Sequence, residues 1–98
     1  MFESLKKANI SVTAFAKVAG VSRVSVSQWV NGRMKPHKLH QAKINALMEA
    51  VDLGLEQGKF PIPKGLERNA AFRLLKATIV DNVREIRAGA ATAAKAEE

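Results

Sequence analysis

The chain has 98 residues, which suits one domain with a modest core, and its 47% hydrophobic and 26% charged content is ordinary for a globular protein. It has no Cys, which excludes disulfides and thiolate chemistry, and it has no apolar stretch of signal-peptide or membrane-span type, so we expect a cytoplasmic protein. The net charge of +7 falls entirely on residues 1–43, because residues 44–98 carry eight basic and eight acidic side chains, and this one-sided charge favours nucleic acid or another polyanion as the partner.

The first residues predict two short helices that are separated by a tight turn. Residues 2–8 form the first helix, and Ser11 is a good N-cap for a second helix that runs to about Ala19. Gly20 ends this second helix, because glycine tolerates the left-handed backbone of a helix C-terminus. The side chains expected to face inward are Phe2, Leu5, Val12, Phe15, Ala16 and Ala19.

Residues 22–30 alternate Val and Ser, which at first suggests a strand. A strand would place Trp29 on the face opposite Val26, whereas a helix places Val26, Trp29 and Val30 on one inward face. The Asn31-Gly32 pair then ends the helix, since both residues tolerate left-handed geometry, and no returning strand pattern follows it as in a hairpin. We therefore predict a helix with Ser22 as its N-cap.

Two short helices joined around a glycine make a helix-turn-helix. The segment VTAFAKVAGVSRVSVSQWVNG, residues 12–32, resembles the helix-turn-helix of the Cro/CI family of regulators, also called lambda repressor-like or XRE. The resemblance rests on Ala16, Gly20, Val21, Val26, Trp29 and Asn31-Gly32. It covers residues 2–51 and implies an all-α helical bundle, and a phage origin is part of that expectation. The extra C-terminal helix of the predicted all-α fold lies beyond the resemblance.

The resemblance also implies which residues touch duplex DNA. The helix over 22–30 becomes the recognition helix in the major groove, where Arg suits guanine, Gln suits adenine and Val suits the thymine methyl group. The implied base contacts are Arg23, Val24, Ser27 and Gln28. The implied phosphate contacts are Thr13, Ser22, Asn31, Arg33, Lys35 and Lys38.

Two histidines in the first half raise the question of a metal site. His37 and His40 have helical spacing, but the chain has no Cys and no acid nearer than Glu49 to supply a third ligand, so we expect no metal. We expect His37 to be exposed near phosphates and His40 to be partly buried. Because no acid pair, activated nucleophile or phosphate-binding glycine loop occurs, the sequence predicts neither an enzyme nor a cofactor.

The second half predicts two longer helices with a loop between them. The first runs from Pro36 to about residue 57. Its inward stripe is His40, Ile44, Leu47, Val51 and Leu55. GKFPIPKG, residues 58–65, is a loop because its prolines forbid a helix, and Phe60 and Ile62 are expected to anchor it. The second helix covers residues 66–87. We take 1–57 as the DNA-binding head, 58–88 as loop plus helix of the same domain, and 89–98 as a disordered, Ala-rich tail.

The helix over 66–87 has heptad-like spacing at Phe72, Leu75, Ile79, Asn82 and Ile86, which fits either a helix packed on its own core or a dimer interface. We predict a dimer, because one recognition helix covers too few base pairs to single out a site. We place its interface in residues 44–98, because the +7 head repels its copy. Its interface is predicted to be Leu75, Ile79, Val83 and Ile86, with Asn82 setting the register.

The predicted function is that of a small Cro-like repressor, which binds a palindromic operator as a homodimer without a small-molecule ligand or a membrane. The antitoxin of a toxin–antitoxin pair and a phage DNA-packaging or recombination accessory protein remain alternatives.

Overall fold

A computed structural model describes the backbone of residues 2–97 and the side chains of residues 2–89. Five helices follow one another in this part of the chain: α1 (Glu3–Lys7), α2 (Val12–Ala19), α3 (Arg23–Val30), α4 (Lys38–Glu56) and α5 (Arg68–Glu97). No strand occurs among the described residues. The predicted all-α fold, with a helix-turn-helix near the N-terminus and a further C-terminal helix, is therefore confirmed.

The helix ends in the first half follow from local side-chain and backbone chemistry. The hydroxyl of Ser11 accepts the N–H of Ala14 at 3.1 Å, and the hydroxyl of Ser22 accepts the N–H of Ser25 at 3.1 Å. Gly20 has φ +71°, so the end of α2 uses the left-handed backbone that glycine adopts at little cost. α2 and α3 therefore begin and end where the sequence predicted.

The core forms where α4 lies against α1, α2 and α5. The inward stripes predicted for the first three helices are buried or half-buried, and so are Ile44, Leu47, Val51 and Leu55 of α4. His40 is exposed, and the prediction that it is partly buried was wrong. The reason is that residues 38–43 are all exposed, so the buried stripe of α4 begins only at Ile44.

The loop after α4 is anchored as predicted, because Phe60 is buried and Ile62 is half-buried. The ring of Phe60 lies on Gly54, a buried residue inside α4, and the backbone N–H of Phe60 donates to the Gly54 carbonyl at 3.2 Å. A Cβ atom on Gly54 would lie 2.4 Å from the ring. The missing side chain of Gly54 is what lets the loop turn back onto α4.

The stripe of α5 packs on α4 of the same chain. Leu75 is 5% exposed and Ile79 is 0% exposed in the single chain, so both side chains are covered by the chain's own core, and the predicted dimer interface stays a prediction. Val83 and Ile86 are half-buried against the same core. Asn82 is also buried, and its Nδ2 donates to the backbone carbonyl of Ala50 at 3.0 Å, so any register that it sets is within the chain.

The ends of α5 differ from the sequence prediction. The helix begins at Arg68 rather than at residue 66, and its backbone continues to Glu97, beyond the predicted end at residue 87. Alanine has the highest intrinsic helix propensity, which accounts for the continued helix in this Ala-rich stretch. The side chains of residues 90–98 lie outside the described residues, and the predicted disorder of residues 89–98 stays a prediction.

Candidate nucleic-acid interface

α2 and α3 meet at small side chains, which lets the two backbones approach closely. Ala16 and Ala19, in the second half of α2, are both buried. The N–H groups of Gly20 and Val21 both point to the carbonyl of Ala16, and the bond from Val21 is 3.1 Å long. These bonds close the end of α2 and fix the direction in which α3 leaves the turn.

The inner side of α3 is held by aromatic contacts with α1 and α2. The ring of Trp29 stacks on Phe2, with centroids 6.2 Å apart and planes at 26°. Phe2 in turn meets Phe15 edge to face at 6.5 Å. Val26 is also fully buried, so the helical face predicted from the Val-Ser stretch is confirmed and the opposite side of α3 is left outward.

The outward side of α3 carries the predicted base contacts. Arg23 is exposed, and Val24 is 67% exposed although it is apolar. Ser27 and Gln28 are half-buried one helical turn further along, behind Arg23 and Val24 respectively. The structure therefore places the four residues in one patch on the first two turns of α3, which we call the recognition patch. That these residues touch bases stays a prediction.

Ser22 has a structural role that the sequence showed only in part. Besides capping the helix, its Oγ donates to the Oγ of Ser25 at 2.8 Å, so its proton is already used. Ser22 can donate to a phosphate only by giving up this bond. Sequence reasoning missed Ser25, whose half-buried hydroxyl completes the cap. Its position three residues after the N-cap serine was the available signal.

The loop after α3 folds back onto the end of the helix. The carbonyl of Gln28 accepts the N–H of Arg33 at 2.9 Å and that of Met34 at 3.3 Å. Gly32 has φ +72°, whereas Asn31 has φ −81°, so only the glycine of this pair uses left-handed geometry. These contacts hold the exposed Arg33 beside the C-terminal end of the recognition patch.

The first turn of α4 borders the same face. His37 is the N-cap of α4, so the helix begins at Lys38 and not at the predicted Pro36: the Nδ1 of His37 accepts the N–H of Leu39 at 3.2 Å. The predicted phosphate contacts Lys35 and Lys38 flank this cap and are exposed. Lys43 was counted only as charge in the sequence, but its Nζ lies over the turn, 3.7 Å from where a Cβ of Gly20 would be.

The remaining predicted phosphate contacts are also accessible. Thr13 lies in the first turn of α2 and Asn31 at the end of α3, and both are exposed. The field on this side is positive because Glu3 is the single acid among residues 1–43. These hydroxyl, amide and cationic groups are the types that contact phosphate oxygens in protein–DNA complexes.

The described residues hold no group of three or more His, Cys, Asp and Glu side chains that could bind a metal ion. His37 and His40 are neighbours, with ring centroids 6.5 Å apart. Within the same part of the chain, no helix has both the length and the apolar character needed to cross a membrane.

The order of α1, α2, the glycine turn and α3 defines a helix-turn-helix, the class of fold that many DNA-binding regulators use. A family model described as "Helix-turn-helix" matches residues 3–40, from the first residue of α1 into the first turn of α4. This matched segment is a helix-turn-helix and is similar to that of DNA-binding regulators of the lambda repressor-like (XRE) kind. Neither the curated proteins nor the solved structures contain a significant match to the chain.

Proposed function

We propose that this protein is a sequence-specific regulator of transcription that binds duplex DNA as a Cro-like repressor and acts as a homodimer on a palindromic operator. The observation that carries the proposal is the recognition patch. Four side chains suited to base edges lie together on the outer side of α3, within a segment that matches the helix-turn-helix family.

Sequence preference would come from the edges of the bases in the major groove. The guanidinium of Arg23 can donate two hydrogen bonds to guanine, and the amide of Gln28 can pair with adenine. Val24 is 67% exposed, so its apolar side chain is accessible for contact with a thymine methyl group.

Affinity would come from the cations and polar groups around the patch. Arg33, Lys35 and Lys38 lie on the loop and helix that follow α3, and Thr13 lies at the start of α2. Contacts from both sides would fix the register of α3 in the groove, because the two sides border the groove on different strands.

A dimer is proposed because one recognition helix of eight residues covers only a few base pairs. Two copies with a twofold axis would place two helices one DNA turn apart, about 34 Å, and would require a palindromic site. We place the dimer surface outside the buried stripe of α5. Leu74 and Val80 are the exposed large apolar side chains among the described residues of that helix.

The proposal is tested by selecting bound sequences from random duplex DNA and then measuring variants on the selected site. Arg23→Ala and Gln28→Ala should each weaken binding to that site by about 1–3 kcal/mol and leave binding to random duplex nearly unchanged. The matched control is Arg73→Ala, which removes an exposed Arg on α5 and should leave the preference for the site intact.

Equal losses on selected and random duplex would contradict the assignment of Arg23 and Gln28 to bases. A selected site without twofold symmetry, together with a monomer in sedimentation on that site, would contradict the homodimer.

A further inference from the structure

A cavity of about 550 Å³ lies where the C-terminal region meets the start of α2. Its walls come from the first turn of α2, the loop before α5 and the first turn of α5. Its polar lining consists mainly of Ser11, Thr13, Lys17, Lys64, Arg68 and Asn69. We call this feature the α2–α5 cavity. The helix-turn-helix match, residues 3–40, covers only the α2 side of it.

The lining is strongly one-sided in charge. Lys17, Lys64 and Arg68 contribute three cations, and no acid of the described residues lines the cavity. Glu67 is adjacent to Arg68 in the chain but is not part of the wall. The second half of the protein is neutral overall, yet it presents two of its cations beside the basic head at this place.

The backbone adds to the positive potential. Neither α2 nor α5 has an acid in its first turn, although Glu67 immediately precedes α5, so the positive end of the α2 dipole at the cavity lacks a negative side chain. Arg68 stands at the N-terminus of α5, where a cation is unfavourable by itself. A bound anion would relieve this repulsion as well as pair with the cations.

The position of Lys17 ties the two sides together. Its Nζ lies 5.6 Å from the centre of the Phe72 ring, so a cation of α2 rests on a side chain of α5. The contact shows that the start of α5 lies beside the face of α2 that carries Thr13. Lys64 and Arg68 consequently face the same space as a predicted phosphate contact.

We propose that the α2–α5 cavity binds phosphates of the DNA backbone, so that Lys64 and Arg68 extend the DNA interface beyond the helix-turn-helix. The inference rests on the proposed function for its ligand. In a helix-turn-helix the first helix crosses the DNA backbone, and α2 is that helix here, so its first turn and the cavity beside it face the phosphates.

The test is the salt dependence of binding to a random-sequence duplex. The logarithm of the affinity falls with the logarithm of the salt concentration, and each phosphate contact makes this slope steeper by about 0.9. Lys64→Ala with Arg68→Ala should therefore make the slope less steep by about 1.8, so that between about 50 and 200 mM salt the wild type loses about 12-fold more affinity than the variant. Preference for the selected site over random duplex should not change, because backbone contacts carry no sequence information.

The matched control removes two cations of α5 that lie outside the cavity wall. Arg73→Ala with Lys76→Ala leaves the charge of the protein equal to that of the test variant, and both residues are exposed and outside the wall. Its slope should stay near that of the wild type. Circular dichroism checks the fold, and Lys64→Gln with Arg68→Gln repeats the measurement with longer side chains if the Ala variant unfolds.

An equally large decrease in the steepness of the slope for both double variants would overturn the proposal, because it would show an effect of net charge alone.

A free phosphate ion is the other source of the same chemistry, so inorganic phosphate is titrated at matched ionic strength while the amide signals of Thr13 and Asn69 are followed by NMR. We expect these signals to respond to the duplex; saturation by inorganic phosphate without a response to duplex would overturn the DNA assignment. A wild type that binds duplex without sequence preference would contradict the proposed function but leave the comparison of slopes intact.

Discussion

Gly54 provides a sharp test of how the C-terminal region is attached to the head. It lies inside α4, where glycine is unfavourable, yet it is buried beneath Phe60 and Asn82. A Cβ at this position would lie 2.4 and 2.6 Å from two ring carbons of Phe60 and 3.4 Å from the Nδ2 of Asn82. Gly54→Ala therefore forces the ring of Phe60, and with it the loop, away from α4.

Two opposing terms determine the stability of Gly54→Ala. Alanine in a helix interior is favoured over glycine by about 1 kcal/mol. Inserting a methyl group into a packed core costs about 1–3 kcal/mol. The net expectation is a loss of about 0–2 kcal/mol in the free energy of unfolding.

The matched control is Gly89→Ala, which is also helical but has no described atom within 4 Å of the new Cβ. It gains the helix propensity without the clash, so the two variants should differ by about 1–3 kcal/mol. Urea unfolding followed by the fluorescence of Trp29, the single Trp of the chain, measures both. Adding Phe60→Leu to Gly54→Ala should return part of the loss, because the shorter side chain leaves room.

If Gly54→Ala were as stabilising as Gly89→Ala, or if Phe60→Leu gave no coupling with it, the argument that Gly54 seats the loop would be refuted.

Two further predictions concern which helix faces are buried. Trp29→Ala should lower the free energy of unfolding by about 3–5 kcal/mol because it empties the site between α1 and α3, and a thermal melt like that of the wild type would show that this face of α3 has been assigned backwards. Ile79→Asp should unfold the chain, because it buries an unpaired charge at a position with 0% exposure, whereas Val80→Asp, at a neighbour with 39% exposure, should stay folded. Circular dichroism measures the helix content of both variants, and a folded monomeric Ile79→Asp would indicate an interface role for Ile79 instead.

The head could be predicted from the sequence because its determinants are local. Ser11 and Ser22 cap helices through residues three positions away, and Gly20 ends α2 through its own backbone angle. The helical stripe through Val26 and Trp29 is likewise contained within a few residues. Such signals need no knowledge of distant contacts.

The second half was harder because its determinants connect residues far apart in the chain. The heptad-like stripe of α5 fits any apolar surface, so the sequence could not decide between α4 of the same chain and a second copy. Gly54 and Phe60 form a contact whose partners are separated by the end of a helix and a loop. The clustering of Lys64 and Arg68 with Lys17 depends in turn on how the loop and α5 fold back onto the head. The net charge of residues 44–98 is zero, so the net charge of each half of the sequence does not reveal this cluster.

Asn82 connects this packing to the proposed interface. Its Nδ2 bonds the carbonyl of Ala50, but its Oδ1 has no hydrogen-bond partner among the described residues, and an unpaired buried oxygen costs about 1–3 kcal/mol. An apolar side chain would avoid that cost but would remove the buried hydrogen bond that ties a particular residue of α5 to a particular residue of α4; the bond from Gln57 at the end of α4 to Glu85 is exposed. A slip by one turn would move Arg68 about 5.4 Å along the helix axis and out of the α2–α5 cavity. The sequence analysis expected Asn82 to set the register between two chains. Within one chain, Asn82 sets the register of α5 on α4, and this register positions Arg68 at the α2–α5 cavity.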